Sequence, residues 1–348
     1  MFDQLFISIM TVYRLMVTAL ALHRCINHRK YGKEATRTAV ILLIFMVLTI
    51  STSNLQHLLM KYTGSDQYYT FSLGWTIGLV LLTTYVNTTA LIRKESENAA
   101  VEKELRIGAS IQLSALPDAS PAFPESLPVS LRAFMKPALE VGGDFYDYFF
   151  LDEKRLCFLI ADVSDKGIAA ALFMMTAKTM LKDHAMQSIS TEKVFDIVNQ
   201  QLCENNRDMM FATAWIGILD METMVLHYTN AGHTKPFFLR KGERIRTLNE
   251  VHGMPLASMD GMTYEYSELA LREGDSLFLY TDGVTEAINP EKELFGANRV
   301  AKVLKETQDA PGEAVFDAMM QSISDFSKDE AQFDDITMMH VKILDQKQ

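Results

Sequence analysis

Cysteine is nearly absent from this chain. Cys25, Cys157 and Cys203 lie far apart among 348 residues, which leaves neither a disulfide framework nor a zinc knuckle to build on. A reducing compartment is the default expectation. Positive charge is short as well: 33 Lys and Arg stand against 44 Asp and Glu, a net charge of -11. Nucleic acid is therefore excluded as the main partner, since phosphate binding needs a basic face. Proline is thin, nine in all, and Pro117, Pro121, Pro124 and Pro128 crowd into 117–128. That stretch reads as the boundary between a linker and a domain. Methionine, by contrast, is frequent at 21, mostly on apolar faces, where it fills irregular cores.

Long apolar runs are confined to the N-terminal part. Residues 71–92 form an uncharged run long enough to cross a bilayer. Residues 39–60 open with AVILLIFMVLTI and then turn polar, and 5–22 are apolar except for Arg14, which would have to snorkel or face protein. A cleaved signal peptide fits poorly, because the basic start and the small-residue cleavage site are missing. The segment 23–38 carries Arg24, Arg29, Lys30, Lys33 and Arg37, whereas 61–69 carries Lys61 alone. The positive-inside rule then places 23–38, and everything after Arg93-Lys94, in the cytoplasm. Residues 1–94 are thus expected to be a membrane region of about three helices. Residues 95–116 read as a helix with a broken apolar stripe at Ala99, Val101, Leu105, Ile111 and Leu113. It could be a passive stalk or a parallel, dimer-forming coil that carries a signal.

Residues 117–348 alternate strand-like and helical runs. Strands are expected at 129–138, 145–150, 156–161, 211–220, 224–232 and 335–344, with helices at 168–187, 192–205, 297–306 and 311–327. Helices in pairs between groups of antiparallel strands imply an α+β fold, a four-layer αββα sandwich of two sheets flanked by helices.

Four carboxylate motifs recur at the tip of an apolar strand beside a turn: Asp144 in VGGDFYD, Asp162 in LIADVSDKG, Asp282 in LYTDGVTEA and the Asp334-Asp335 pair in FDDITMM. A lone Asp in such a place is usually a turn residue bonding its own backbone. Four together point to a cation site, since converged carboxylates repel one another unless protonated or neutralised. Oxygen ligands without His or Cys favour Mg2+ or Mn2+ over zinc.

Those motifs, with NAGHTKPFFL and GMPLA, resemble the metal-dependent type 2C serine/threonine protein phosphatases, in their bacterial stage-II-sporulation-E-type branch. The likeness runs from about Glu104 to the C-terminus and includes ELRIGASIQLSALP; the first ~94 residues lie outside it. The resemblance implies a catalytic centre of Asp144, Asp162 and Asp282 with two Mn2+ or Mg2+ ions and a water nucleophile. It makes Asp162 the bridging ligand, Val163 a backbone-carbonyl ligand, Asp144 and Asp282 single-metal ligands, and Asp334 the last ligand, with Asp335 the alternative. It also implies a phosphorylated regulatory protein, an antagonist of an anti-sigma factor, as substrate; the apolar runs and the 95–116 helix, outside or at the edge of the resemblance, add the expectations of a place in the bacterial cytoplasmic membrane and of a homodimer. His233 is a candidate acid for the leaving alkoxide, Lys166 a candidate phosphate contact, and Asp147 and Asp165 candidate outer ligands. The arginine that grips phosphate in eukaryotic relatives would fall near Leu139, where no basic residue stands; Lys136 is the nearest substitute. Two other readings compete. GGDF at 142–145 invites comparison with diguanylate cyclases but leaves Asp162, Asp282 and Asp334 without a task. A metal-free, membrane-tethered binding module would not need the carboxylates at all.

Overall fold

The computed structural model describes Tyr62 and residues 67–344, except 122, 125, 126, 188, 189, 205, 309 and 329. The chain divides into two compact units, Met1–Glu102 and Lys103–Gln348. Of the expected membrane segments, 5–22 and 39–60 lie outside the described residues.

The segments expected separately at 71–92 and 95–116 are one helix, α1 (Gln67–Ser114), 48 residues long. No proline interrupts it, and Pro117 follows its end. Among the described residues no helix is long and apolar enough to cross a membrane, so the expected span at 71–92 finds no support. The run loses its apolar character after Leu82, where Thr83, Thr84, Asn87, Thr88 and Thr89 follow within two turns.

Among the described residues the second unit holds ten strands. They are β1 (Val129–Lys136), β2 (Phe145–Phe150), β3 (Arg155–Val163), β4 (Ala212–Asp220), β5 (Val225–Ala231), β6 (Phe237–Leu239), β7 (Arg246–Thr247), β8 (Ser267–Ala270), β9 (Ser276–Tyr280) and β10 (Ile336–Ile343). Among them run helices α2 (Ile168–Gln187), α3 (Thr191–Glu204), α4 (Asp282–Thr285), α5 (Gly296–Glu306) and α6 (Gly312–Ser327). The strands make two five-stranded antiparallel sheets, ordered β1-β10-β9-β6-β7 and β2-β3-β4-β5-β8.

Strand β3 shows why the sheets stack. Its residues alternate sides, yet almost all are apolar, so both faces must be covered. Leu156, Phe158 and Ile160 point inward and meet Leu131, Leu279 and Met339 of the other sheet. Cys157, Leu159, Ala161 and Val163 point outward and pack on Ala170, Met174, Ala177 and Leu181 of α2 and on Val194, Phe195 and Val198 of α3. The second sheet is covered likewise: Phe278, Ile336 and Met338 lie under Val300, Val303, Val315, Phe316 and Met319 of α5 and α6. The four-layer α+β sandwich expected from the element pattern is what forms.

Candidate metal centre

Antiparallel pairing delivers the acidic residues to one end of both sheets. In the β2–β3 ladder Phe145 faces Ala161, so one step further along the register sets Asp144 opposite Asp162. In the β9–β10 ladder Met338 faces Tyr280, and the bond from Thr281 N to Thr337 O (3.0 Å) extends it. Asp282, the first residue of α4, therefore stands beside the start of β10, which Asp334 and Asp335 precede.

The turn before β2 needs glycine for closeness rather than for left-handed backbone. A Cβ on Gly143 would meet the Val163 carbonyl oxygen at 2.8 Å, and one on Gly142 would run into the Asp335 carboxylate. Asp335 itself is spoken for. It accepts from Ala138 N (2.7 Å), Gly143 N (2.8 Å) and Asp144 N (3.4 Å), fastening that turn to β10. Asp334 is freer: its Oδ2 lies 2.9 Å from Lys166 Nζ, and its Oδ1 accepts from Asp335 N.

Asp144 is 2% exposed, and Thr281 Oγ1 donates to its Oδ2 at 2.7 Å. Thr281 is itself fixed by Thr337 N, which donates to the same oxygen at 3.0 Å. Burial, then the charges of Asp162 and Asp335, hold the Asp144 carboxyl well above the ordinary carboxylate range. Burial, followed by Asp282 and Asp334, raises Asp162 to about 7. Burial, Glu286 and Asp334 raise Asp282 to about 6. Carboxylates this mutually repulsive hold protons, or a cation in their place.

Among the described residues no three His, Cys, Asp or Glu side chains form a finished ligand cage. The donor chemistry nonetheless fits hard divalent cations: the converging groups are carboxylate oxygens with the Val163 carbonyl beside the glycine turn, and Lys166, paired with Asp334 and attracting Asp282, offsets only part of their charge.

Other candidates are placed elsewhere. Asp147 is not an outer ligand, because it is buried and its Oδ2 pairs with Lys178 Nζ of α2 at 2.5 Å. Asp165 is exposed, in the left-handed backbone of the turn after β3 (φ 65°). His233 is buried behind the centre, its Nδ1 2.9 Å from Thr213 Oγ1, and burial lowers its pKa to about 3. Its Nε2 lies toward the Tyr280 carbonyl without completing a hydrogen bond. A neutral, sealed ring is a structural pin and not a proton donor near neutrality. Lys136 is exposed at the end of β1. The glycines of GGDF serve the turn that Asp335 fastens, which removes the ground for the cyclase comparison.

Sequence reasoning missed three groups. Thr281 and Thr337 sit where a hydroxyl looks incidental. Gln112, 4% exposed on α1, donates to Gly142 O (2.6 Å) and accepts from Gly142 N (3.2 Å), so the helix grips the glycine turn directly. The face of α1 turned to the domain is the one with Gln112, while Ile111 and Leu113 of the expected apolar stripe are 60% and 49% exposed. A buried glutamine flanked by apolar residues was the available signal.

Residues 152–344, over half of the chain, match the family profile of stage II sporulation protein E (SpoIIE). Protein IcfG of Synechocystis sp. is 32% identical over 278 residues, covering 72% of this chain and 43% of that protein. The phosphoserine phosphatase RsbU of Bacillus subtilis is 28% identical over 186 residues, covering 53% of this chain and 54% of RsbU. The chain thus spans about half the length of these relatives. The SiaA PP2C domain of Pseudomonas aeruginosa superposes with a TM-score of 0.63 at 22% identity, over 70% of this chain and 98% of that domain, and shares the fold.

Proposed function

The chain belongs to the stage II sporulation protein E family, and from that premise we propose that it is a metal-dependent phosphatase acting on phosphoserine or phosphothreonine of a regulatory protein. One observation carries the reading: Asp144, Asp162 and Asp282 converge from both sheets, each held above the ordinary carboxylate range by burial and by neighbouring acids. RsbU, named a phosphoserine phosphatase, supports the same chemistry.

Asp162, Asp144, Asp282, Asp334 and the Val163 carbonyl would hold two Mn2+ or Mg2+ ions. When bound, such a pair supplies an activated water and neutralises charge on the phosphoryl oxygens during in-line displacement. The chain's own residues prepare that site. Thr281 orients one oxygen of Asp144 by donating to it, which leaves the other oxygen for a ligand. Asp335, with its oxygens taken by three backbone amides, positions the turn, so Asp334 is the better ligand of the two. Lys166 steadies Asp334.

The substrate class is a phosphorylated antagonist of an anti-sigma factor. Residues before α1, with their basic 23–38 segment, would tether the chain to a bacterial cytoplasmic membrane. The exposed Ile107 and Ile111 of α1 are the seam through which it would dimerise.

The test is hydrolysis of a phosphoserine protein by the purified chain with Mn2+, against EDTA and against Asp282→Asn. Hydrolysis that needs the metal and falls by about 100-fold or more in the variant is the expected result. Turnover indifferent to chelation, or intact in Asp282→Asn, would overturn the mechanism.

A further inference from the structure

A hollow of about 180 Å³ opens beside the acidic centre, and two residues of that neighbourhood, Gly283 and Asp334, belong to its wall. Ile288 after α4 and Met320 and Ile323 of α6 give it an apolar side, and Ser324, Ser327 and Gln332 a polar one. Lys136 lines it as well. The wall is built rather than incidental: Gln332 Nε2 donates to Lys136 O (2.8 Å) and to Asp334 O (2.9 Å), binding the segment before β10 to the end of β1.

Charge around the rim is unequal. Glu330 is engaged by Lys292 at 3.1 Å, and Lys328 stands 4.0 Å from Glu291. Among the described residues no carboxylate lies within ion-pair distance of Lys136. An apolar side beside an ammonium that no carboxylate pairs, continuous with Asp334, complements a segment that is anionic at one residue and apolar at a neighbour. A phosphoserine followed or preceded by a large aliphatic side chain has that character.

We propose that this hollow is a specificity subsite, which receives an apolar side chain close to the substrate's phosphoserine while the phosphate faces the acidic centre. The inference rests on the phosphatase reading and adds to it a rule for which phosphoserines are chosen. An apolar pocket of this kind discriminates by the area it covers, and one well-seated aliphatic side chain is worth about tenfold or more in kcat/KM.

The probe is a set of phosphoserine heptapeptides in a Gly/Gln background with one leucine at each position from -3 to +3, hydrolysed by the full chain with Mn2+. Leucine at one position should raise kcat/KM over the leucine-free peptide by about tenfold. Met320→Ala, which enlarges the hollow, should move the preference at that position from Leu to Phe, read with a second set that carries phenylalanine in place of leucine. Ala287, next to Ile288, also lines the hollow; Ala287→Leu narrows it and should flatten the ratio, and it carries the test if Met320→Ala does not fold. Equal rates for all positions, or a preference identical in both variants, would overturn the subsite while leaving the phosphatase reading standing. Failure of wild-type protein to hydrolyse any of the peptides while it hydrolyses a phosphoserine protein overturns the subsite alone; failure on both overturns both.

Discussion

At the scale of single residues, the centre is a site of stored repulsion. Asp162 has an ordinary value of 3.8 and is raised to about 7 by burial, Asp282 and Asp334. Between those values the folded protein keeps a proton that the unfolded chain releases, so metal-free stability falls as pH rises through the window. His233, lowered from 6.5 to about 3, works the other way and loses its contribution as pH falls. The net slope mixes these two with the raised Asp144 and Asp282 and the lowered His340, and the difference between wild type and Asp162→Asn isolates the one acid. That variant should be more stable than wild type without metal at pH 8, by about 1–3 kcal/mol in denaturant titration, while Mn2+-dependent turnover is lost. A less stable variant would contradict the repulsion. Thr281 gives a finer test: Thr281→Val should weaken Mn2+ binding about 10–100-fold, read as the metal concentration that raises the thermal midpoint. Thr281→Ser, which keeps the donor, should bind almost as wild type does. The acids themselves were legible because each stands beside one end of an apolar strand. Thr281 was not, since its partner Asp144 lies 137 residues away and only the packed sheets bring the two together.

Elements carry the next layer of control. Gln112 ties α1 to the glycine turn with both of its polar atoms. Gln112→Ala leaves a buried amide and carbonyl of Gly142 without partners, at a cost of about 1–3 kcal/mol, and it should also weaken Mn2+ binding. Loss of stability with unaltered metal affinity would confine Gln112 to packing. On the other flank, Lys178 of α2 and Asp147 of β2 form a buried pair. Lys178→Met strands the Asp147 charge and should cost about 3–5 kcal/mol. Adding Asp147→Leu to that variant should recover most of the loss, as a thermal-melt double-mutant cycle would show. The element map of the domain was largely readable: α2 occupies 168–187 as its apolar run implied. The face of α1 was misread because Ile111 and Leu113 outrank Gln112 in hydropathy, whereas the turn at Gly142 rewards the amide. Asp282 was expected at a strand end; its strand stops at Tyr280, and the aspartate opens a helical turn instead.

For the whole molecule, the four layers followed from strands apolar on both faces, and the convergence of the acids followed from the layers. What apolar run length could not decide was the helix at 67–114, where a stretch rich in threonine continues unbroken into a charged one. Binding of cations to the folded chain alone should raise stability by about 2.7 kcal/mol at a hundredfold excess over Kd. Calorimetry with and without EDTA checks this, and Asp282→Asn should abolish the increment. The interior between the sheets has its own bearing on this chemistry. Trp215 is fully buried there, stacked 5.6 Å from Phe158 and 5.5 Å from Tyr228. Asp144, Asp162 and Val163 ride on the sheet that contains Trp215, and Asp282 and Asp334 on the sheet facing it, so an indole packed between the two bears on the gauge of the reaction chamber from its far side. Shaving it down would loosen the grip on a divalent ion without altering a single ligand.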